Sequence, residues 1–131
     1  MADLGDSFFT SVGCMDGRVQ KPIAEYGQNK LDAECPDTIT EAGLVGQLVH
    51  EPTEELLASV RSKITISSEK HHSKGVVVHG HQKCAGNPVG DEQHKQDVRD
   101  AAGVIRPMAP ALRIIPVFVV KTESGWKVEE L

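Results

Sequence analysis

The chain reads as an α/β domain with a mostly parallel central sheet flanked by helices, and three observations predict it. Short β-rich runs alternate with segments whose apolar residues recur at helical spacing, which is the pattern of strands joined by crossover helices. One run, Gly75-Val76-Val77-Val78-His79, is continuously apolar before its histidine, as expected of a centre strand buried on both faces. Near the end, Glu123-Ser124-Gly125 marks a hairpin turn into Trp126-Lys127-Val128, which adds one antiparallel strand.

Taken in order, Ser7 to Val12 forms the first strand and ends at Gly13. Pro22 to Tyr26 predicts a short helix with proline at its start, where the missing N–H has no partner to lose. Thr38 to Glu41 alternates and runs into Ala42-Gly43, a second strand with a glycine at its exit. Pro52 opens a stronger helix in which Leu56, Leu57, Val60 and Ile64 share one face, fading between Ser67 and His72. The valine-rich strand follows. Asn87-Pro88 then resembles a cap before a helix over Val89 to Ile105, with Val98, Ala101, Ala102 and Ile105 inward. Ile114 to Val120 is a fourth strand interrupted by Pro116, which must sit at a bulge or where its missing N–H costs no ladder bond.

At 131 residues the chain is read as a single domain, 1–131, without repeats or linkers. Aromatic residues make up 4% of it, so the core must rest on Val, Ile, Leu and Ala. A net charge of -5 argues against nucleic acid as a partner, because phosphate binding needs a clustered basic surface. The one basic cluster, Lys63, Lys70, His71, His72 and Lys74, is expected at a solvated helix end. No apolar stretch is long enough to span a bilayer, and the acidic start, Met1 to Asp6, lacks the pattern of a signal peptide. Three cysteines cannot all pair within one chain; with two of them in metal-like contexts, a reducing, cytoplasmic setting and metal ligation are expected over disulfides.

Two distant segments carry the chemistry: Cys14-Met15-Asp16-Gly17-Arg18 and His81-Gln82-Lys83-Cys84. Each follows a predicted strand, and loops at the carboxyl ends of neighbouring parallel strands converge where strand order reverses. Cys14, His81 and Cys84 then make a Cys2His zinc set with a fourth tetrahedral position open to water, the signature of catalytic rather than structural zinc. The alternative is two small buried cysteines and an ordinary loop histidine. Asp16 and Arg18 can form a carboxylate–guanidinium fork that keeps Asp16 ionised, aimed at metal-bound solvent and off the metal; the alternative is a surface ion pair. Because two thiolates cancel the charge of the dication, the bound solvent should have a pKa above that of three-histidine sites, and activity should rise toward alkaline pH.

His79 and His94 could carry protons, but His79 reads as a core residue and His94 as a solvated helix residue. Cys35 reads as a free thiol rather than a substitute ligand. Ala85-Gly86 could offer N–H groups to an anion at the start of the third helix. A phosphatase-like role for Cys14 with Arg18 is disfavoured, since the three intervening residues are too few to cradle a phosphate.

These residues resemble the β-class carbonic anhydrases, which carry Cys-x-Asp-x-Arg after the first strand and His-x-x-Cys after a later one. Cys14, Asp16, Arg18, His81 and Cys84 match in order, and the likeness extends from about Ser7 to Val128. The resemblance implies strand order 2-1-3-4 with an antiparallel fifth strand, and a homodimer or higher homo-oligomer with sites near the subunit interface. It also implies a zinc lyase, carbonate dehydratase, in which zinc-bound hydroxide hydrates carbon dioxide to bicarbonate. Cys14, His81 and Cys84 would then hold Zn2+, with Asp16 and Arg18 as the catalytic dyad. The chain is short for the family, Glu41 stands where Asn is usual and Ala85 where glycine is common. A related hydrolase of carbon disulfide or carbonyl sulfide, or a non-catalytic zinc module of the same fold, would share these motifs.

Overall fold

The computed structural model describes residues 6–131, so the acidic start at residues 1–5 lies outside the described residues. Strands β1 (Phe8–Cys14), β2 (Cys35–Glu41), β3 (Val76–His81), β4 (Ile114–Thr122) and β5 (Gly125–Glu130) form one sheet in the order β2-β1-β3-β4-β5. The first four are mutually parallel, and β5 runs antiparallel to β4. The order and the closing hairpin are those expected.

Helices α1 (Gln20–Leu31), α2 (Leu44–His50), α3 (Glu54–Thr65) and α4 (Asp91–Ile105) cover the sheet. One apolar layer joins Val12, Val76, Val78 and Phe118 of the sheet to Leu44, Leu48, Val60, Ile64, Val98 and Ile105 of α2, α3 and α4. The opposite layer joins Phe9, Val77, Val117 and Val119 to Ile23 of α1, with Trp126 and Val128 packed against it. Val76, Val77 and Val78 are wholly buried, so the continuous valine run does occupy a centre strand. The four inward residues expected on α4, Val98, Ala101, Ala102 and Ile105, are buried as well.

Several elements differ from expectation, each for a physical reason. α1 starts at Gln20 and continues past Tyr26 to Leu31, with Gly27 inside it as a packing residue. A Cβ there would stand 2.2 Å from the Phe9 ring. α2 has no counterpart in the sequence reading. It is seven residues long and starts from Gly43 in the left-handed region, φ 60°, so it offers neither length nor a side-chain cap as a signal. β2 begins at Cys35 rather than Thr38, and Pro36 fits because odd-numbered residues face β1 (Cys35 N–H donates to Ser7 O), leaving Pro36 turned to the open edge.

α4 starts at Asp91 rather than Val89, and Gly90 caps it without a side-chain bond. Asn87 is no cap: its amide donates to the buried Asp97 carboxylate at 3.0 Å. Pro116 lies opposite Val78 without breaking the β3–β4 ladder. Its carbonyl accepts from Leu131 N–H, so its imide nitrogen also faces the β5 side, where strand pairing starts only at Val117.

Candidate metal centre

β1 pairs with β2 through Cys14↔Glu41, but with β3 only as far as Val12↔Val78. Beyond that point β1 and β3 part, at the carboxyl ends of the two strands where the chain reverses its direction of winding. A crevice forms there in open α/β sheets. Cys14 and His81 are the last residues of β1 and β3, inside the strands rather than in the loops after them. Cys84 follows three residues on, carried back by a turn in which Lys83 adopts a left-handed conformation, φ 57°.

The three ligand atoms of Cys14, His81 and Cys84 lie within 4.8 Å of one another, and all three residues are buried. The two sulfurs are 3.7 Å apart. His81 Nδ1 sits 2.7 Å from the Gln82 carbonyl, which fixes the proton on that nitrogen and leaves Nε2 as an acceptor. Nε2 is buried and has no hydrogen-bond partner among the described residues. A buried lone pair without a partner, beside two thiols at coordinating distance, fits a thiophilic dication; second-sphere fixation of a ligating imidazole through its other nitrogen is the usual arrangement.

The two sulfurs are within hydrogen-bonding distance of each other. The Cys84 thiol donates to Cys14 and drives the Cys14 pKa down against the opposing effect of burial, with the Gly43 N–H at 3.4 Å helping. The same bond pushes Cys84 up. Gly43 can approach because it meets Gly86 backbone to backbone; a Cβ on Gly43 would be 2.4 Å from the Gly86 carbonyl carbon. Gly86 is therefore spent on packing, and α4 begins several residues later, so Ala85-Gly86 is not an anion site at a helix start.

Asp16 and Arg18 form the expected fork. Arg18 Nε reaches Oδ1 at 3.0 Å and Nη2 reaches Oδ2 at 2.7 Å, while the Arg18 backbone N–H also donates to Oδ1 at 2.9 Å. These bonds hold the Asp16 pKa down at about 2. Asp16 Oδ2 lies 3.9 Å from His81 Nε2, so the carboxylate borders the ligand cluster without entering it. Arg18 is itself fixed by the Lys83 carbonyl, 3.1 Å from Nη2, and by the Trp126 ring, whose centroid is 5.0 Å from its guanidinium carbon.

Three contributions escaped the sequence reading, the last of them from a histidine correctly read as a core residue. The Gln20 amide donates to the carbonyls of Cys14 and Asp16, each at 2.8 Å, clamping the loop between them. Trp126 stacks on Arg18 from β5 and stands edge-on to His81. His79 is fully buried and accepts the Cys14 backbone N–H at 3.1 Å.

His94, expected in solvent, is instead 2% exposed; it packs edge-on to Phe118 and above Gly80, where a Cβ would be 2.6 Å from its Nε2. Cys35 stays a free thiol at the opposite end of the sheet: it pairs with Phe8, so six residues of strand, about 20 Å, separate its register from that of Cys14. In the basic cluster, His71 is pinned to Asp37 at 2.7 Å and stacks on Phe8, while the Lys74 ammonium donates to the Asp32 carbonyl.

A mostly parallel sheet with a Cys-His-Cys donor set at its switch point and an ionised carboxylate beside it defines an α/β protein with a candidate metal centre. Within that class the chain belongs to the carbonic anhydrase family. The family model described as "Putative carbonic anhydrase" matches residues 4–131. Among solved structures, the chain is similar to a carbonic anhydrase from Streptococcus mutans, with TM-score 0.57 and 17% identity over 92% of this chain and 80% of that one. At that identity the likeness speaks for the fold. No curated protein matches the chain.

Proposed function

We propose that the protein is a zinc-dependent carbonic anhydrase, a lyase that interconverts carbon dioxide and bicarbonate. The observation that carries this reading is the unpartnered Nε2 of His81, which lies with two cysteine sulfurs inside 4.8 Å. Family membership supports carbon dioxide and bicarbonate as the substrate pair. Cys14, His81 and Cys84 would hold the ion. Zinc bound there would supply a Lewis acid that makes water nucleophilic, increasingly so toward alkaline pH.

The remaining work belongs to the chain. Asp16, ionised down to a pH of about 2, accepts and never donates in the physiological range. Its Oδ2 takes a short bond from Arg18 Nη2 and a longer second one, 3.2 Å, from Nε, and on its side toward His81 it would accept an O–H and turn the attacking oxygen toward carbon. The fork with Arg18 also prevents Asp16 from swinging into the ligand cluster. Gly43 N–H fixes the Cys14 sulfur, and Gln20 fixes the backbone that joins Cys14 to Asp16, so ligand and acceptor move as one unit.

A homodimer and a cytoplasmic setting complete the proposal. The first follows the family resemblance and the second rests on three free cysteines. No helix among the described residues is long and apolar enough to cross a membrane.

The test is elemental analysis of the purified protein with stopped-flow hydration of carbon dioxide, run beside hydrolysis of carbon disulfide and carbonyl sulfide. One zinc per chain and carbon dioxide turnover that climbs toward alkaline pH are expected. Turnover of the sulfur compounds alone would reassign the substrate, and bound zinc without any turnover would make the domain a binding module.

A further inference from the structure

We infer that His79 is a positioning residue for the Cys14 thiolate: its ring takes over a backbone hydrogen bond of the sheet so that β1 and β3 can part at the metal centre. The inference rests on Cys14 being a metal ligand, as proposed above.

Strand parity shows what has been replaced. Thr10 N–H donates to the Gly75 carbonyl of the segment leading into β3, so even-numbered β1 residues direct their N–H groups toward β3. A ladder continued past Val12↔Val78 would give the Cys14 N–H to the His79 carbonyl. The register stops at Val12↔Val78 instead, and the Cys14 N–H donates to His79 Nε2 at 3.1 Å. The side chain of the same residue thus holds the donor that its main chain has released. A buried N–H left without an acceptor at this point would oppose opening of the crevice. With the ring in place, the strands separate and the Cys14 N–H stays satisfied, the group left without a partner among the described residues being the ring's own Nδ1 instead of the ligand's backbone.

The neighbouring sequence is shaped to this ring. Gly13, one residue before the ligand, leaves the space: a Cβ there would stand 2.3 Å from His79 Cε1 and Nδ1. His79 is fully buried, and its Nδ1 has no partner among the described residues. The Cys14 N–H and the packing over Gly13 are therefore what orient the imidazole. Because Nε2 accepts, the ring proton resides on Nδ1. Cys14 is then held at three points, by His79 on its nitrogen, Gln20 on its carbonyl and Gly43 on its sulfur.

The wild-type protein tests this first. Long-range 1H–15N correlation spectra of the metal-loaded, 15N-labelled chain should show His79 protonated on Nδ1, with a scalar coupling from its bare Nε2 to the Cys14 amide nitrogen. A ring protonated on Nε2 would overturn the inference without recourse to any variant. Cobalt(II) titration of the metal-free protein reads the consequence for the ligand. Wild type should develop thiolate-to-cobalt charge-transfer absorption; if it does not, the metal reading falls and the role of His79 with it.

His79→Gln keeps an acceptor and should restore the wild-type spectrum and nearly the wild-type affinity. His79→Met keeps bulk but lacks a strong acceptor, and should bind cobalt about 10-fold or more weakly with a shifted charge-transfer band. Gly13→Ala, which pushes the ring away from the opposite side, should reproduce that shift if the methionine variant does not fold. Wild-type affinity and spectrum in folded His79→Met would show that Cys14 is positioned without the ring, with the metal reading left intact.

Discussion

A buried acceptor without a partner is worth about 1–3 kcal/mol of lost hydrogen bonding. Among the described residues His81 Nε2 has no such partner, and the proposed dication would supply one. Cys84→Ser should remove one sulfur donor and abolish stoichiometric zinc, which elemental analysis after dialysis would show; full zinc retention would exclude Cys84 as a ligand. Asp16→Asn should keep the zinc and slow carbon dioxide hydration roughly 100-fold, the scale of one positioned proton acceptor. Wild-type turnover in that variant would leave Asp16 without a catalytic part. The five residues of the cluster were legible because each sits in a short motif whose chemistry follows from residue type and spacing. Gln20, Trp126 and His79 were not, because their roles depend on where a side chain points across strands. His94 misled for the same reason: a histidine on a polar helix gives no sign that Gly80 opens a seat for it beneath the helix.

At the scale of elements, glycines and one buried carboxylate decide the packing. Gly43 was read as a strand exit and hid the start of α2, since a residue chosen for close approach has the same letter as one chosen for a turn. Gly27→Ala should destabilise the fold by about 1–3 kcal/mol through overpacking against Phe9, measured by urea unfolding; an unchanged midpoint would contradict the contact. Asp97 of α4, 0% exposed, ties α2 and the loop after Cys84 to that helix through His50, Gln93 and Asn87. Burial works to raise its pKa, but these donors outweigh it and the net shift is downward. A carboxylate with a lowered folded pKa stabilises the fold above its unfolded pKa, near 4, and loses that contribution as pH falls below it. Asp97→Asn should therefore lower stability at neutral pH by roughly 1–3 kcal/mol and flatten the decline below about pH 4. Parallel acid limbs for wild type and variant, read from denaturation midpoints across that range, would rule out the carboxylate as the titrating group.

For the whole molecule, strand order and the closing hairpin could be read in advance because period, burial pattern and turn chemistry agreed along the chain, and the family likeness supplied the order. What could not be read was how the backbone is satisfied where β1 and β3 part, one side chain standing in for one carbonyl of the ladder. The proposed ligands straddle that gap, two of them ending the separated strands and the third on the turn after β3, so zinc should clamp the sheet where its own hydrogen bonds stop. Removing it with a chelator should lower the thermal midpoint, and restoring it should raise the midpoint in proportion to the logarithm of free zinc. The most direct test of the account is zinc K-edge X-ray absorption on the loaded protein. Two sulfur neighbours at about 2.3 Å with two nitrogen or oxygen neighbours at about 2.0 Å are predicted. Three or more sulfurs, or none, would contradict it.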